Sequence, residues 1–336
     1  MKRLYAFFLA LVLLCGCTAT SVPVTGELTV HFLDVGQADC TLVQCDGEFL
    51  LIDGGNVEDS DRVVAYLLDQ DVTKLDYVVC THAHEDHVGG LPAVLAVFET
   101  DTLWCPVEDY DSKCFRDFLH YADQQELTPV CPEPGDTYPL GDGTITVLGP
   151  VDDYDEPNNT SIILRVDYGS TSFLFPGDAE TVAEQDVLEA GLDPSATVLK
   201  LGHHGSSTSS SYRWLREVAP EYGVISAGAG NSYGHPHEEI LSRLSDADVT
   251  VYRTDLQGHI LCHSDGQSVS FTTQKQTTVS TPAKTEKQER FIGNRNSMKL
   301  HLPSCSGLPS QKNQVEFSDY DLALALGYEP CGTCMG

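Results

Sequence analysis

The chain has 336 residues, 41% of them apolar, which suits one large folded body with a small appendage and is too much for a single small domain. Its formal net charge of -31 is unevenly spread: residues 27–270 hold 10 Lys and Arg against 44 Asp and Glu, whereas residues 271–336 hold 7 against 6. An acidic body of this kind repels polyanions at long range, which excludes nucleic-acid binding through a broad basic face and leaves only a metal site, a local basic spot or the tail for such contact.

At the start, MKRLYAFFLALVLLCGCTAT sets Lys2 and Arg3 before an apolar run from Leu4 to Leu14. That run is too short for a membrane span and right for the apolar region of an export signal. Leu14-Cys15-Gly16-Cys17 resembles the bacterial lipobox. The resemblance implies a signal peptide over residues 1–17, lipidation of Cys17, and an exported protein anchored to the outer face of the cytoplasmic membrane. No other segment approaches the roughly 18 to 20 uninterrupted apolar residues of a spanning helix.

The body follows. ELTVHFLDV (27–35), GEFLLIDGG (47–55) and LDYVVCTHA (75–83) are short apolar or β-branched runs ended by Gly, Asp or His, which predicts strands that end in functional loops. RVVAYLLDQ and the stretch from Val88 to Phe98 carry helical spacing. A second series comes after an irregular acidic region: TITVLGP, SIILRVDYG, TSFLFPGDA, ATVLKLGHHG, YGVISAG and VTVYRTD, with helical stretches near Glu180 to Glu189 and Glu238 to Leu244. Two sets of strands, each with helices, predict two sheets packed face to face with helices outside. Residues 273–290 are rich in Thr, Lys and Gln and predict a solvated linker between a body over 27–272 and a module over 291–336. A unit as small as that module usually needs a metal or disulfides. Among the other cysteines Cys80 lies in an apolar strand and reads as buried, while Cys105, Cys114 and Cys131 are candidates for a disulfide.

The chemistry collects at strand ends. THAHEDHVGG (81–90) places His82, His84, Asp86 and His87 on a loop after the strand LDYVVC. His82 and His84 suit one ion, and Asp86 with His87 a second beside it. Imidazole and carboxylate fit Zn²⁺, Mn²⁺ or Fe²⁺. Further ligands come from distant strand ends: Asp178 in FLFPGDAE, His203 and His204 in VLKLGHHGSS, and His235 and His237 in NSYGHPHEE.

DVGQADC (34–40), THAHEDHVGG, NNTSIILRVDYGSTSFLFPGD (158–178), LKLGHHGSS (199–207) and NSYGHPH (231–237) occur in that order, followed by YRTDLQGHI. Together they resemble the metallo-β-lactamase-fold domain of the ComEC type, the nuclease-type domain of a competence DNA-uptake protein. The resemblance covers about residues 27–272 and implies an α/β four-layer αββα sandwich with ligands in loops at one edge. It implies metal ligation by His82, His84, Asp86, His87, Asp178 and His204, with His203 an alternative because the doublet leaves the register open by one. Asp34 matches the early aspartate that supports the metal loop by hydrogen bonding. Many relatives carry another ligating histidine before the bridging aspartate, where this chain has only NNTS. The His82/His84 site is therefore one ligand short, to be completed by Asn159 or a water, and the cofactor is one or two divalent ions, zinc or manganese.

The implied mechanism is hydrolysis by a metal-activated water, whose pKa falls towards about 7 when bound. Asp86 orients the nucleophile, and His235 or His237 donates to the phosphoryl oxygen or protonates the leaving group. Ser206 and Ser207 offer donors to the substrate. In the tail, His301, Cys305, Cys331 and Cys334 form a His-x3-Cys and Cys-x2-Cys set that reads as a structural zinc site and resembles the small Ada-like zinc module. Arg295 and Lys299, with Lys284, Lys287 and Arg290 in the linker, add a modest basic approach to DNA. The expected function is a surface metal-dependent phosphodiesterase acting on DNA, by itself or beside an uptake system. The alternatives are a same-fold hydrolase of a small ester (a phosphocholine ester, a lactone or a nucleotide) and a non-catalytic DNA-binding surface lipoprotein.

Overall fold

The structure, a computed structural model, describes residues 26–282, 290–317 and 320–335. The export signal, Cys17, Lys284 and Lys287 lie outside the described residues. In chain order the strands are β1 (Leu28–Phe32), β2 (Thr41–Cys45), β3 (Glu48–Ile52), β4 (Lys74–Val79), β5 (Glu99–Trp104), β6 (Thr137–Leu140), β7 (Gly143–Gly149), β8 (Ile163–Tyr168), β9 (Thr171–Phe175), β10 (Val198–Lys200), β11 (Tyr222–Ile225), β12 (Thr250–Arg253), β13 (Ile260–Ser264) and β14 (Val269–Thr273). They form two seven-stranded sheets, ordered β14-β13-β1-β2-β3-β4-β5 and β12-β11-β10-β9-β8-β7-β6.

Period-2 alternation divides each strand between two cores. In β1, Leu28, Val30 and Phe32 face the other sheet and meet Val166 and Phe173 in the inter-sheet core. In β9, Phe173 and Phe175 join that core while Leu174 faces outward. The outer face of the first sheet is covered by α1 (Ser60–Asp69), α3 (Leu91–Val97) and α4 (Lys113–Gln124), through Leu67, Val94 and Phe118. The outer face of the second is covered by α5 (Thr181–Glu189), α6 (Tyr212–Val218) and α7 (Glu238–Asp246), through Val187, Trp214 and Ile240. The layers run αββα, as expected. Two single-turn helices complete the body, α2 (Glu85–Val88) and α8 (Thr254–Gln257).

A third sheet, ordered β17-β15-β16-β18, is built from β15 (Phe291–Asn294), β16 (Lys299–His301), β17 (Gln314–Phe317) and β18 (Glu329–Pro330), with α9 (Tyr320–Ala325) packed on it. It meets the body at α6, where the Tyr212 ring lies 6.0 Å from Phe291 and the Arg216 guanidinium sits 4.4 Å above the ring of Tyr320. The disulfide expected among Cys105, Cys114 and Cys131 is not formed: all three are free thiols, and the Cys105 thiol donates instead to the Val107 carbonyl. No helix among the described residues is long and apolar enough to cross a membrane.

Strands β3, β4 and β5 run parallel to one another, as do β9 through β12. Their carboxyl ends carry the polar residues, the usual place for a site in sheets of this kind.

Candidate metal centre

The loop after β4 is clamped to the loop after β3, backbone to backbone. A Cβ on Gly90 would stand 2.0 Å from the Gly54 carbonyl oxygen, so only glycine permits this approach. The Gly54 N–H donates to the His87 carbonyl at 2.7 Å across the same seam. The seam sets Asp53, at the end of β3, beside His87. Asp53 Oδ2 lies 2.8 Å from His87 Nδ1, and Asp53 also accepts from the Thr81 N–H and hydroxyl, each at 2.8 Å.

His203 and His204 follow β10 in a tight turn and both adopt left-handed backbone, with φ of 49° and 53°. Two consecutive non-glycine residues in this region store roughly 1–2 kcal/mol each. The turn sends the two rings apart. His204 is buried, with Nδ1 3.1 Å from the Ser226 carbonyl and 3.3 Å from Asp39 Oδ1. His203 is partly exposed and turns towards Glu180, at 3.4 Å.

The result is a tight donor set. One ligand atom each from Asp86, His87, Asp178 and His204 lies within 4.8 Å of the others. Asp178 Oδ1 is 3.3 Å from His87 Nε2, and His204 Nε2 is 3.3 Å from Asp86 Oδ2 and 3.6 Å from Asp178 Oδ2. Ligand atoms held about 2.0–2.2 Å from a tetrahedral ion are roughly 3.3–3.6 Å apart, the range of these three separations. His87 Nε2 and Asp178 Oδ1 are buried and make no hydrogen bond, which is what atoms kept for a metal would show. Two nitrogens and two carboxylates suit zinc or manganese alike.

Electrostatics agree. Burial pulls the His87 imidazole down, but Asp178, Asp53 and Asp86 outweigh it and hold it well above its usual range. Burial likewise opposes the charge on His204, yet Asp178 and Asp39 raise it to about 10. For Asp178, burial pushes up while His87 and His204 pull the carboxyl well below the usual carboxylate range. Negative charge is concentrated where a cation would neutralise it. Outside this shell, Lys200 Nζ makes a buried ion pair with Asp39 at 2.6 Å, and Asp39 in turn faces His204.

His82 and His84 stand beside the cluster as a pair, with Nε2 of the first 3.1 Å from Nδ1 of the second. The His82 ring centre is 4.1 Å from that of His87. The third ligand expected from Asn159 is not offered: its Oδ1 accepts from the Glu180 N–H at 3.0 Å. Its neighbour Asn158 faces the cavity instead, and Asn158 Oδ1 is buried without a partner. The turn over Pro157–Thr160 sets the register by one residue.

Asp34 is also displaced from its expected role. Its backbone N–H donates to His259, and among the described residues its carboxylate accepts only from Gly36 N–H at 3.4 Å. Asp53 and Asp39 take the supporting positions on the metal-loop and late histidines.

A cavity of about 360 Å³ opens onto the cluster, lined by Gln37, His84, Glu85, Asp86, Asn158, Asp178, His203, His204, Tyr233 and His235. Neither Lys nor Arg is among those walls. His237 is not among them either: its Nδ1 accepts from the Ser207 N–H at 2.9 Å, which braces the turn after β10. Ser206 is buried, and its hydroxyl pairs with that of Thr208 at 3.1 Å. In the small module, His301, Cys305, Cys331 and Cys334 converge within 4.8 Å, and the Leu302 and Gly307 N–H groups donate to the sulfurs of Cys334 and Cys305.

Comparison with known proteins agrees with this geometry. The chain is 29% identical over 255 residues to ComE operon protein 3 of Bacillus subtilis, across 70% of this chain and 33% of that protein. It is 33% identical over 236 residues to competence protein ComA of Neisseria gonorrhoeae, across 69% of this chain and 32% of that protein. The chain thus spans about a third of the length of the curated relatives it matches. The solved metallo-beta-lactamase fold protein YhfI of Bacillus subtilis superposes with a TM-score of 0.50 at 15% identity, over 71% of this chain and all of that one. Residues 33–229 match the metallo-beta-lactamase superfamily, and the chain is a metal-binding hydrolase-fold member of that superfamily.

Proposed function

We propose that this protein is a metal-dependent phosphodiesterase that cuts DNA, exported and held at the membrane surface through Cys17, beside a DNA-uptake system. The observation that carries the reading is the set Asp86, His87, Asp178 and His204, three of them buried and Asp86 half-buried, spaced for an ion and open to a cavity. Kinship with competence protein ComA supports DNA as the substrate class.

Asp86, His87, Asp178 and His204 would hold a divalent ion, which when bound would supply Lewis acidity and lower the pKa of a water. The chain's own groups do the rest. Gln37 Oε1 accepts from the Gly228 N–H at 3.0 Å, which fixes the amide so that Nε2 donates to His235 Nδ1 at 3.2 Å. His235 therefore carries its proton on Nε2. Burial, with His204 and His203 close by, lowers its pKa to about 4, so it is neutral at pH 7. A neutral Nε2–H donates a hydrogen bond to a phosphoryl oxygen without needing to lose the proton. Asp86, on the open side of the cluster, is placed to orient an attacking water. In the module, His301, Cys305, Cys331 and Cys334 are the ligands of a structural zinc.

A second reading, hydrolysis of a small ester, is favoured by the absence of Lys and Arg from the cavity walls. Protein from Thr18 onward, stripped of metal and reloaded with Mn²⁺ or Zn²⁺, decides between them. Single- or double-stranded DNA should be cut only by reloaded protein and not by the Asp86→Ala/His87→Ala variant. Intact DNA alongside hydrolysis of a small chromogenic phosphodiester would assign the small substrate instead.

A further inference from the structure

The cavity mouth carries one large exposed ring. Tyr233 is 68% exposed, the most of any large hydrophobic side chain among the described residues, yet it stands on a rigid support. Its ring lies nearly parallel to that of His235, at 24° with centres 5.6 Å apart. His235 in turn lies nearly parallel to His204, at 25° and 6.3 Å. Three rings thus step from the metal cluster to the surface, and the outer face of the last one is open.

The turn that presents Tyr233 is tied by a single side chain. Asn231 Oδ1 accepts from the N–H groups of Tyr233 and His235, at 3.1 and 3.0 Å, while its Nδ2 donates to the carbonyls of Gly228 and His235. Every polar atom of that amide is used to hold the loop. An aromatic ring fixed in solvent loses little side-chain entropy on stacking, so more of the contact energy appears as affinity.

The walls offer neither Lys nor Arg to neutralise a phosphate chain, and the body carries 44 Asp and Glu between residues 27 and 270. Lys and Arg contacts along the phosphate backbone therefore cannot supply substrate affinity at these walls. A π-face can, because every base has one.

We propose that Tyr233, stacked on His235, is a platform for the nucleobase adjoining the scissile phosphate, which selects unpaired strands. This rests on the phosphodiesterase reading of the same site. A base within a duplex is already stacked on both faces and has none to offer, so single strands and frayed ends are the substrates.

The test uses the metal-reloaded chain, Tyr233→Ala and Tyr233→Trp. Loss of one base–aromatic stack, about 1–3 kcal/mol, corresponds to a rise in KM of roughly 5- to 150-fold. That rise is expected for Tyr233→Ala on single-stranded oligothymidylate, with recovery in Tyr233→Trp. Wild type and Tyr233→Ala should converge on an oligonucleotide abasic at the cleavage position. The native tryptophans Trp104 and Trp214 are buried, so the emission of Tyr233→Trp that is open to a quencher comes from the surface ring. It should be quenched by oligothymidylate and not by the abasic strand, and a comparison of oligodeoxyuridylate with oligouridylate identifies the sugar. Equal KM for wild type and Tyr233→Ala, with no quenching, overturns the platform and leaves the nuclease reading standing. If the wild type cuts no oligonucleotide, the DNA reading falls, and quenching of Tyr233→Trp by thymidine monophosphate then supports the platform or, by its absence, overturns it.

Discussion

The imidazole Nδ1 of His87 lies 2.8 Å from Oδ2 of Asp53, and both side chains are buried. This contact fixes the ring so that its other nitrogen faces Asp178. Partners of this kind set ligand orientation and basicity, and their loss typically costs about 10- to 100-fold in metal affinity. Asp53→Asn should therefore weaken metal binding by that factor while leaving the secondary structure intact. Competition of the protein against a chromogenic chelator, with circular dichroism as control, checks it; unchanged affinity would show that the clamp is dispensable.

The histidine doublet is asymmetric. His204 is buried among three carboxylates, whereas His203 is 3.7 Å from the nearest oxygen of Asp178 and partly exposed. His204→Ala should abolish metal-dependent hydrolysis, a loss of at least about 10²-fold, and His203→Ala should cost under about 10-fold. Steady-state kinetics on one phosphodiester with both variants reads the difference. Equal losses would return the register to an open question.

Lys200 and Asp39 form a pair that is only 3% and 4% exposed, so neither charge has water to fall back on. Removing one partner of such a pair is expected to cost about 3–5 kcal/mol. Lys200→Met should show this in urea unfolding, and Lys200→Met/Asp39→Asn should recover much of it. A double variant no better than the single would mean that the cost is lost packing instead of an unpaired charge.

Glu184 lies wholly buried under the turn that leads into α6, accepting from the Ser210 and Ser211 N–H groups. Burial raises its pKa and the hydrogen bonds offset that only in part, leaving it at about 7. An unfolded glutamate ionises near about 4.3. Between those values the unfolded chain gives up a proton that the folded chain keeps, so this residue's contribution to stability falls as pH rises through the window. The stability of wild type relative to Glu184→Gln should drop by about 3 kcal/mol between pH 4.5 and 8. Urea melts of both proteins at the two pH values measure it; a difference independent of pH contradicts the assignment.

How far the sequence revealed the site depended on locality. The loop from His82 to His87 was visible because three of the chain's 12 histidines fall within six positions. The two sheets were visible as apolar runs ended by Gly, Asp or His. Asp53 and Asp39 were hidden because each is an ordinary residue in a chain with 50 Asp and Glu, and Lys200 because it merely ends an apolar strand; only tertiary packing places them. Asp34 and Asp39 are five residues apart in one motif, and nothing in that motif says which of them turns inward. Asn158 and Asn159 differ only in which face of a short turn they occupy. The rigid Tyr233 depends on how Asn231 folds back on its own loop, a set of hydrogen bonds without a pattern in composition or period.

On the proposed reading one cluster both holds metal and hydrolyses a phosphodiester, so metal content and turnover should be measured side by side. Wild type and Asp178→Ala would be dialysed against the same Mn²⁺ or Zn²⁺ buffer, assayed for bound metal, and tested for hydrolysis of a chromogenic phosphodiester. Asp178→Ala should lose at least one equivalent of metal and its activity together, while any metal bound at His301, Cys305, Cys331 and Cys334 should remain. Full metal retention with full activity in Asp178→Ala would contradict it.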